Sequence, residues 1–331
     1  MPVPPKVVRR LVLAPLAVAA ELVLLALSPV LVLLAVLASP LFGGWRPLRM
    51  VTIGLVLAAR HLGAVLTCLG LWVAGGFGRT AGTPAMQRRH LAVMRWFVAG
   101  SYHVIVRLAH VEVRITESDD AHAALATPGR PVLVFGRHAG EGDTLLVLYE
   151  LLCRHRRVPC VVMADKLRLD PLIDGLGERL PNRCVDPRGG DTEKEIAAMA
   201  RELDGTRALV VFPEGANFSE QARRRGIERL ERAGHDQEAA WAREMRHLSA
   251  PRPGGALAAV QAAPHADVVI MGHRGFPTGP REVWDLLPAP QVVEVRLWHE
   301  SAGAIPPEHH DRIDWLFAWW RTMDGWVDEQ A

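Results

Sequence analysis

Apolar and polar positions divide the chain into two unlike parts. From Leu11 to Gly43 nearly every residue is apolar, interrupted by Pro15, Glu21, Pro29 and Pro40, and a second apolar stretch runs from Val51 to Gly76 with Arg60 and His61 near its middle. As a straight helix the first stretch would be about 50 Å long against a hydrocarbon core of about 30 Å, so it is expected to bend or to form more than one segment. Between Met86 and Val106, Arg88, Arg89 and Arg95 alternate with Met94, Trp96 and Phe97, the pattern of a helix lying on a surface. From His110 onward short Val/Ile-rich runs take over. Strands are expected at Val111–Thr116, Val132–Phe135, Val158–Met163, Ala208–Phe212, Val268–Gly272 and Val292–Trp298. Helical patterns lie between them at Leu145–Cys153, Leu172–Arg179, Glu193–Leu203 and the charged stretch Gln221–His247. Alternation of this kind predicts an α/β sheet covered by helices.

Charge sharpens the division. The net charge of the 331 residues is only +2, but residues 1–110 hold eleven Lys and Arg against one acid, Glu21. A basic, strongly apolar first third implies an anionic membrane surface as its partner and argues against nucleic acid. Residues 1–108 therefore read as membrane-anchoring helices and 109–331 as the globular domain. An Arg at the bilayer centre costs at least about 2.5–3.5 kcal/mol, so Arg60 favours an interfacial or re-entrant position for the second stretch. Basic residues flank both stretches on every side, and positive-inside counting does not choose between one span and two. A cleaved signal peptide would also begin with Lys6-Val-Val-Arg-Arg10, but the apolar run is too long and a second one follows. Cys68, Cys153, Cys160 and Cys184 show no zinc or redox spacing and are expected to be buried free thiols in a reducing compartment.

Two motifs carry the candidate chemistry. Pro131-Val-Leu-Val-Phe135 runs into Gly136-Arg-His138-Ala-Gly-Glu-Gly-Asp143, and Arg207-Ala-Leu-Val-Val-Phe212 runs into Pro213-Glu214-Gly215. A His and an Asp five positions apart cannot share a helical face, but they can meet across a turn, and Gly140 and Gly142 permit the angles a turn demands. An imidazole oriented by a carboxylate is a general base, here for deprotonating a hydroxyl. Spacing alone is a weak signal, since His309 and Asp314 repeat it in a Trp-rich helical pattern. A surface or capping role for the first pair is the alternative. Its strand–glycine–helix context favours the chemistry, because open α/β sheets bind ligands at the carboxyl ends of strands.

With Phe212-Pro-Glu-Gly215 following at the right interval, the His138–Asp143 pair resembles the glycerophospholipid acyltransferase family, in particular its 1-acylglycerol-3-phosphate acyltransferases. The resemblance continues through Ala164-Asp-Lys166-Leu, Pro171-Leu-Ile with Gly175, and Arg183-Cys-Val-Asp186-Pro-Arg188. It extends to Pro251-Arg252-Pro-Gly-Gly255, Asp267–His273 and the terminal Asp314–Asp324 region, covering roughly residues 110–325. It implies a mixed α/β sheet covered by helices, and a fatty acyl group moved from acyl-CoA or acyl carrier protein to a lysophospholipid hydroxyl at the cytoplasmic face of the cell membrane. No cofactor or metal is implied.

In that reading His138 is the base and Asp143 orients it, while amides at the start of the next helix face developing charge. Phe212, Pro213, Glu214 and Gly215 help bind the acceptor, and Lys166, Arg188 and Arg252 are candidates for its phosphate. Arg223-Arg-Arg225 lies near enough in sequence to join them. Two departures matter. The Thr-Arg that usually follows Phe-Pro-Glu-Gly is Ala216-Asn217, and Pro187 stands where an Arg is expected, with Arg188 displaced by one. No Gly-x-Ser-x-Gly elbow, phosphate loop, dinucleotide fingerprint or metal-spaced cluster competes. Three readings stay open: a lysophosphatidate acyltransferase, the same chemistry on another lysolipid or glycolipid, and a catalytically silent membrane-anchored lipid-binding protein.

Overall fold

The computed structural model describes residues 3–140, 142–186, 190–277, 280–287 and 289–329. Seven strands form one mixed sheet: β1 (Val111–Glu117), β2 (Val132–Gly136), β3 (Val158–Ala164), β4 (Arg183–Val185), β5 (Arg207–Val211), β6 (Asp267–Arg274) and β7 (Gln291–Glu300). Their order is β1-β7-β6-β2-β5-β3-β4. β6, β2, β5, β3 and β4 run parallel, while β7 returns antiparallel to β6 and carries β1 parallel to itself. All six strands expected from the sequence are present. β4 is the addition, a three-residue edge strand too short for period-two alternation to register.

β2 is buried along its whole length, as expected of a central strand in a sheet covered on both faces. Its side chains alternate between two cores. Leu133 and Phe135 pack with Leu209, Val211 and Ile270 beneath the helices Thr192–Arg201, Pro253–Ala262 and His309–Asp328, where Leu316, Phe317 and Trp320 are fully buried. Val132 and Val134 face the opposite core with Leu146, Val147 and Leu151, beneath the helices Asp119–Ala126 and Asp143–Tyr149. The charged stretch expected as one helix is two, Glu220–Arg232 and Asp236–Glu244. Gly234 breaks it at φ +74°, a left-handed value that ends helices.

Among the described residues the first third is helical apart from short turns, chiefly at 43–45 and 75–83. Lys6–Ala26 and Ser28–Phe42 meet at a 55° bend, as the length of the apolar run requires, and Arg46–Ala74 and Pro84–Leu108 are each long and apolar enough to cross a membrane. Counting the bent pair as one, up to three spans are available by length and composition. Leu41 is 82% exposed and Leu11 73%, part of an apolar surface that no described element covers, the mark of a lipid-facing region.

The polar residues in the middle of Arg46–Ala74 are partnered. Arg60 lies 4.1 Å over the Trp96 ring and donates to the Trp96 carbonyl, while His61 contacts Glu21 Oε1 (2.5 Å) and Asp170 Oδ1 (3.2 Å). Asp170 caps the helix Pro171–Gly177, so mid-helix His61 ties this segment to the globular part. Some of the N-terminal positive charge is likewise met within the protein. Arg9 and Arg10 bond Asp174, and Lys6 bonds Glu178.

Candidate active site

Phe135 of β2 pairs with Val211 of β5, so Arg137-His138 and Phe212-Pro213-Glu214 leave the sheet side by side at its carboxyl edge. There the chain turns back within five residues and starts the helix Asp143–Tyr149, bringing the first pair of sequence candidates together. His138 donates Nδ1–H to Asp143 Oδ2 at 3.2 Å, and Gly140 N–H donates to the same oxygen at 2.8 Å. An ionised carboxylate only accepts, which puts the ring proton on Nδ1 and leaves Nε2 as the basic nitrogen. Asp143 is fully buried whereas the His138 side chain is 24% exposed. Burial pushes the Asp143 carboxyl up, but the bonds from His138 and Gly140 and the nearness of His273 outweigh it and hold the group below the usual carboxylate range.

Gly142 serves the turn differently from the expected way. Its φ is −95°, an ordinary value, and what it supplies is room. A Cβ there would stand 2.6 Å from Phe276 Cε1. The decoy pair behaves as its context predicts. His309 and Asp314 lie on one continuous helix, five residues and more than a third of a turn apart.

The second motif wraps the first. The Phe212 ring lies 4.8 Å from the His138 ring, centroid to centroid, at 31°. Phe218 N–H donates to the His138 carbonyl at 2.7 Å, and Pro213 O accepts from Arg252 N–H at 2.7 Å. Glu214 is 3% exposed, and both its oxygens are engaged by main-chain amides: Oε1 by His138 N–H (2.8 Å) and Oε2 by Ser249 N–H (3.0 Å). Burial raises its carboxyl to about 7 against the pull of those two donors. Glu214 is thus a brace between the His138 turn and the segment leading to Arg252.

Gly215 follows at φ +71°, exposed, with the Arg252 side chain folded across it; a Cβ on Gly215 would lie 3.2 Å from Arg252 Cδ and Nε. Ala216 and Asn217 are exposed beside it.

The cationic candidates separate. Arg252 is exposed at this edge, and half-buried Arg229 lies near it, its pKa lowered by burial and then by the charge of Arg252. Among the described residues no carboxylate pairs with either arginine. Arg223 is taken up by the carbonyls of Met245 (2.6 Å) and Arg243 (2.9 Å). Lys166 is exposed in the turn after β3, on the same edge of the sheet. Arg188 lies outside the described residues.

Sequence reasoning missed Arg137, Arg229 and the role of His273. Arg137 is buried and donates to the carbonyls of His247 (2.8 Å) and His273, clamping the strand ends around the site. His273 Nε2 lies 3.3 Å from Asp143 Oδ1. Arg137 and His273 stand within stretches the sequence already singles out, but nothing local gives either a role, because both act through contacts formed across the sheet.

A separate constellation lies at the opposite end of the sheet. Glu117, His122 and His155 bring three metal-capable atoms within 4.8 Å of one another, but Arg154 already pairs with Glu117 Oε1 at 3.3 Å. The four cysteines are free thiols, and burial pushes Cys160 up to about 12, so it is no nucleophile at neutral pH.

A surface-reaching imidazole held by a buried carboxylate, at the strand end where a hydroxyl can approach, is suited to general-base chemistry. No curated protein matches the chain significantly. Residues 111–273, from the first residue of β1 to the histidine facing Asp143, match the acyltransferase family.

Proposed function

We propose that the protein is a membrane-bound acyltransferase that moves a fatty acyl group from an acyl thioester to a lysophospholipid hydroxyl, with 1-acylglycerol-3-phosphate as acceptor and phosphatidic acid as product. The observation that carries this reading is the His138–Asp143 pair, with the exposed ring in front and the fully buried carboxylate 3.2 Å behind it. His138 Nε2 takes the acceptor's hydroxyl proton as the oxygen attacks the thioester carbonyl. The tetrahedral intermediate collapses, the C–S bond breaks, and the departing thiolate recovers the proton from the imidazolium. Asp143 keeps the ring in the working tautomer and stabilises its charged form. No covalent acyl-enzyme is needed.

Arg252 and Arg229 support a phosphate-bearing acceptor. Two neighbouring guanidinium groups without carboxylate partners among the described residues suit a dianion, and Arg engages phosphate with paired donors. They would stand in for the arginine that Asn217 replaces. Glu214 acts in this scheme by holding His138 and the Arg252 segment in register. The apolar helices of the first third support attachment to a membrane, and in this scheme the site works at the cytoplasmic leaflet. The loss of the Thr-Arg pair favours a second reading, the same chemistry on another lysolipid or a glycolipid. Purified protein incubated with labelled acyl-CoA and a panel of lysolipids, beside His138→Ala, tests both. Transfer to no acceptor, or equal transfer by the variant, would overturn the proposal.

A further inference from the structure

Asp143 is gripped from two sides. Its Oδ2 serves His138 and the Gly140 amide, whereas its Oδ1 faces His273 Nε2 at 3.3 Å, and neither of those two atoms has a hydrogen-bond partner elsewhere. A buried carboxylate oxygen and a buried ring nitrogen left unpaired within reach of each other would be costly, and a small rotation of the imidazole pairs them. His273 is the seventh residue of β6, one strand from β2, so its position is set by the sheet. The Phe276 ring stands edge-on to it at 5.0 Å and also covers Gly142, which shuts the contact from water.

The charged and titratable groups facing His273 are Asp143, the buried Arg137 guanidinium and His138. Burial, with Arg137 and His138 adding to it against the pull of Asp143, brings the imidazole down to about 4 and leaves it neutral at pH 7. A neutral ring has one N–H. Its two claimants are the Asp143 carboxylate and the Arg137 main chain, and the carboxylate is the stronger acceptor.

We propose that His273 is a positioning residue of the acyl-transfer site, donating Nε2–H to Asp143 Oδ1 so that the carboxylate is fixed in orientation and its other oxygen is reserved for His138. This rests on the reading of His138 as the base. The His–Asp pair thereby becomes a His–Asp–His chain drawn from two strand ends, with the outer imidazole reaching solvent and the inner one sealed. The inner donor also withdraws electron density from Asp143, so it tempers the pull that the carboxylate exerts on the His138 proton.

Two variants of the full-length protein separate positioning from bulk. His273→Phe keeps a ring and deletes the donor, whereas His273→Gln returns an N–H near the place of Nε2. His273→Phe is expected to lower kcat about ten- to hundredfold, the range for a lost hydrogen bond to a charged group, with the acceptor KM unchanged. Relieved of its second donor, Asp143 should hold the His138 imidazolium more tightly. The acid limb of kcat against pH, and the His138 titration midpoint by NMR, should both move to higher pH. His273→Gln should recover most of the loss and return the midpoint towards wild type.

The proposal is overturned if Phe and Gln variants with wild-type melting lose activity equally and leave the midpoint unmoved, or if His273→Phe matches wild type throughout. Should wild type transfer acyl groups to no acceptor, the functional reading fails on its own. The His138 midpoint in His273→Phe then still decides this inference, an unmoved value refuting it.

Discussion

Replacing Glu214 by Gln distinguishes a brace from a ligand. The wild-type carboxylate accepts His138 N–H at 2.8 Å and Ser249 N–H at 3.0 Å from a position 3% exposed. A carboxamide has one acceptor oxygen, so one of those buried donors is left facing an NH2 group. An unsatisfied buried donor costs about 1–3 kcal/mol, which for a domain of this size is about 2–12 °C in Tm. Because the orphaned amide belongs either to His138 or to the segment leading to Arg252, stability should fall together with kcat, and any rise in the acceptor KM should come with that loss of stability. The pH dependence adds a second signature. The folded carboxyl titrates near 7 against an ordinary 4.5, so between those values the folded state holds a proton that the unfolded state has lost. The contribution of Glu214 to stability is therefore full below the lower value and falls as pH rises towards 7. Gln does not titrate, and the difference in Tm between wild type and variant should shrink from pH 5 to pH 7.5. A thermal melt series over that range, beside acyl-transfer kinetics, makes the comparison. A variant that melts like wild type at every pH and is impaired only in acceptor KM would show that Glu214 touches substrate and that the brace is wrong.

Other expectations follow from the same geometry. His138→Ala should lower turnover by about 10²–10⁴-fold, the range for losing a general base, while His309→Ala, on an exposed helix start, should leave it unchanged; equal losses would defeat the assignment. Arg252→Ala and Arg229→Ala should each raise the acceptor KM about ten- to hundredfold and leave the thioester KM nearly as it was, and Asn217→Arg should improve use of lysophosphatidate; unchanged acceptor constants in both Ala variants would remove the phosphate from the acceptor. Carbonate washing should leave the full-length protein in the membrane fraction, because its exposed apolar helices have no covering protein; complete release would rule out an integral anchor.

The sequence by itself marked an apolar helical first third, an α/β sheet after it and the candidate pair His138 and Asp143. Apolar run length marked the helical first third, and short Val/Ile-rich runs marked six of the seven described strands, because both signals are local. His138 and Asp143 were legible since a strand, a glycine turn and a helix follow one another between Val132 and Tyr149. What depended on chain segments meeting across the sheet was not legible. Whether Glu214 is a ligand or a brace is decided by His138 and Ser249, 76 positions before it and 35 after. Gly142 looked like a turn residue and is a space residue, because Phe276 arrives from beyond β6. Arg229 acquires its place beside Arg252 only when the charged stretch breaks at Gly234 and folds back. His273 is one more residue in an apolar strand until strand order sets β6 against β2, burying its ring against the carboxylate that holds His138. Local patterning fixes which elements form, whereas burial and the pairing of polar atoms depend on which elements become neighbours, and that is a property of the tertiary structure alone.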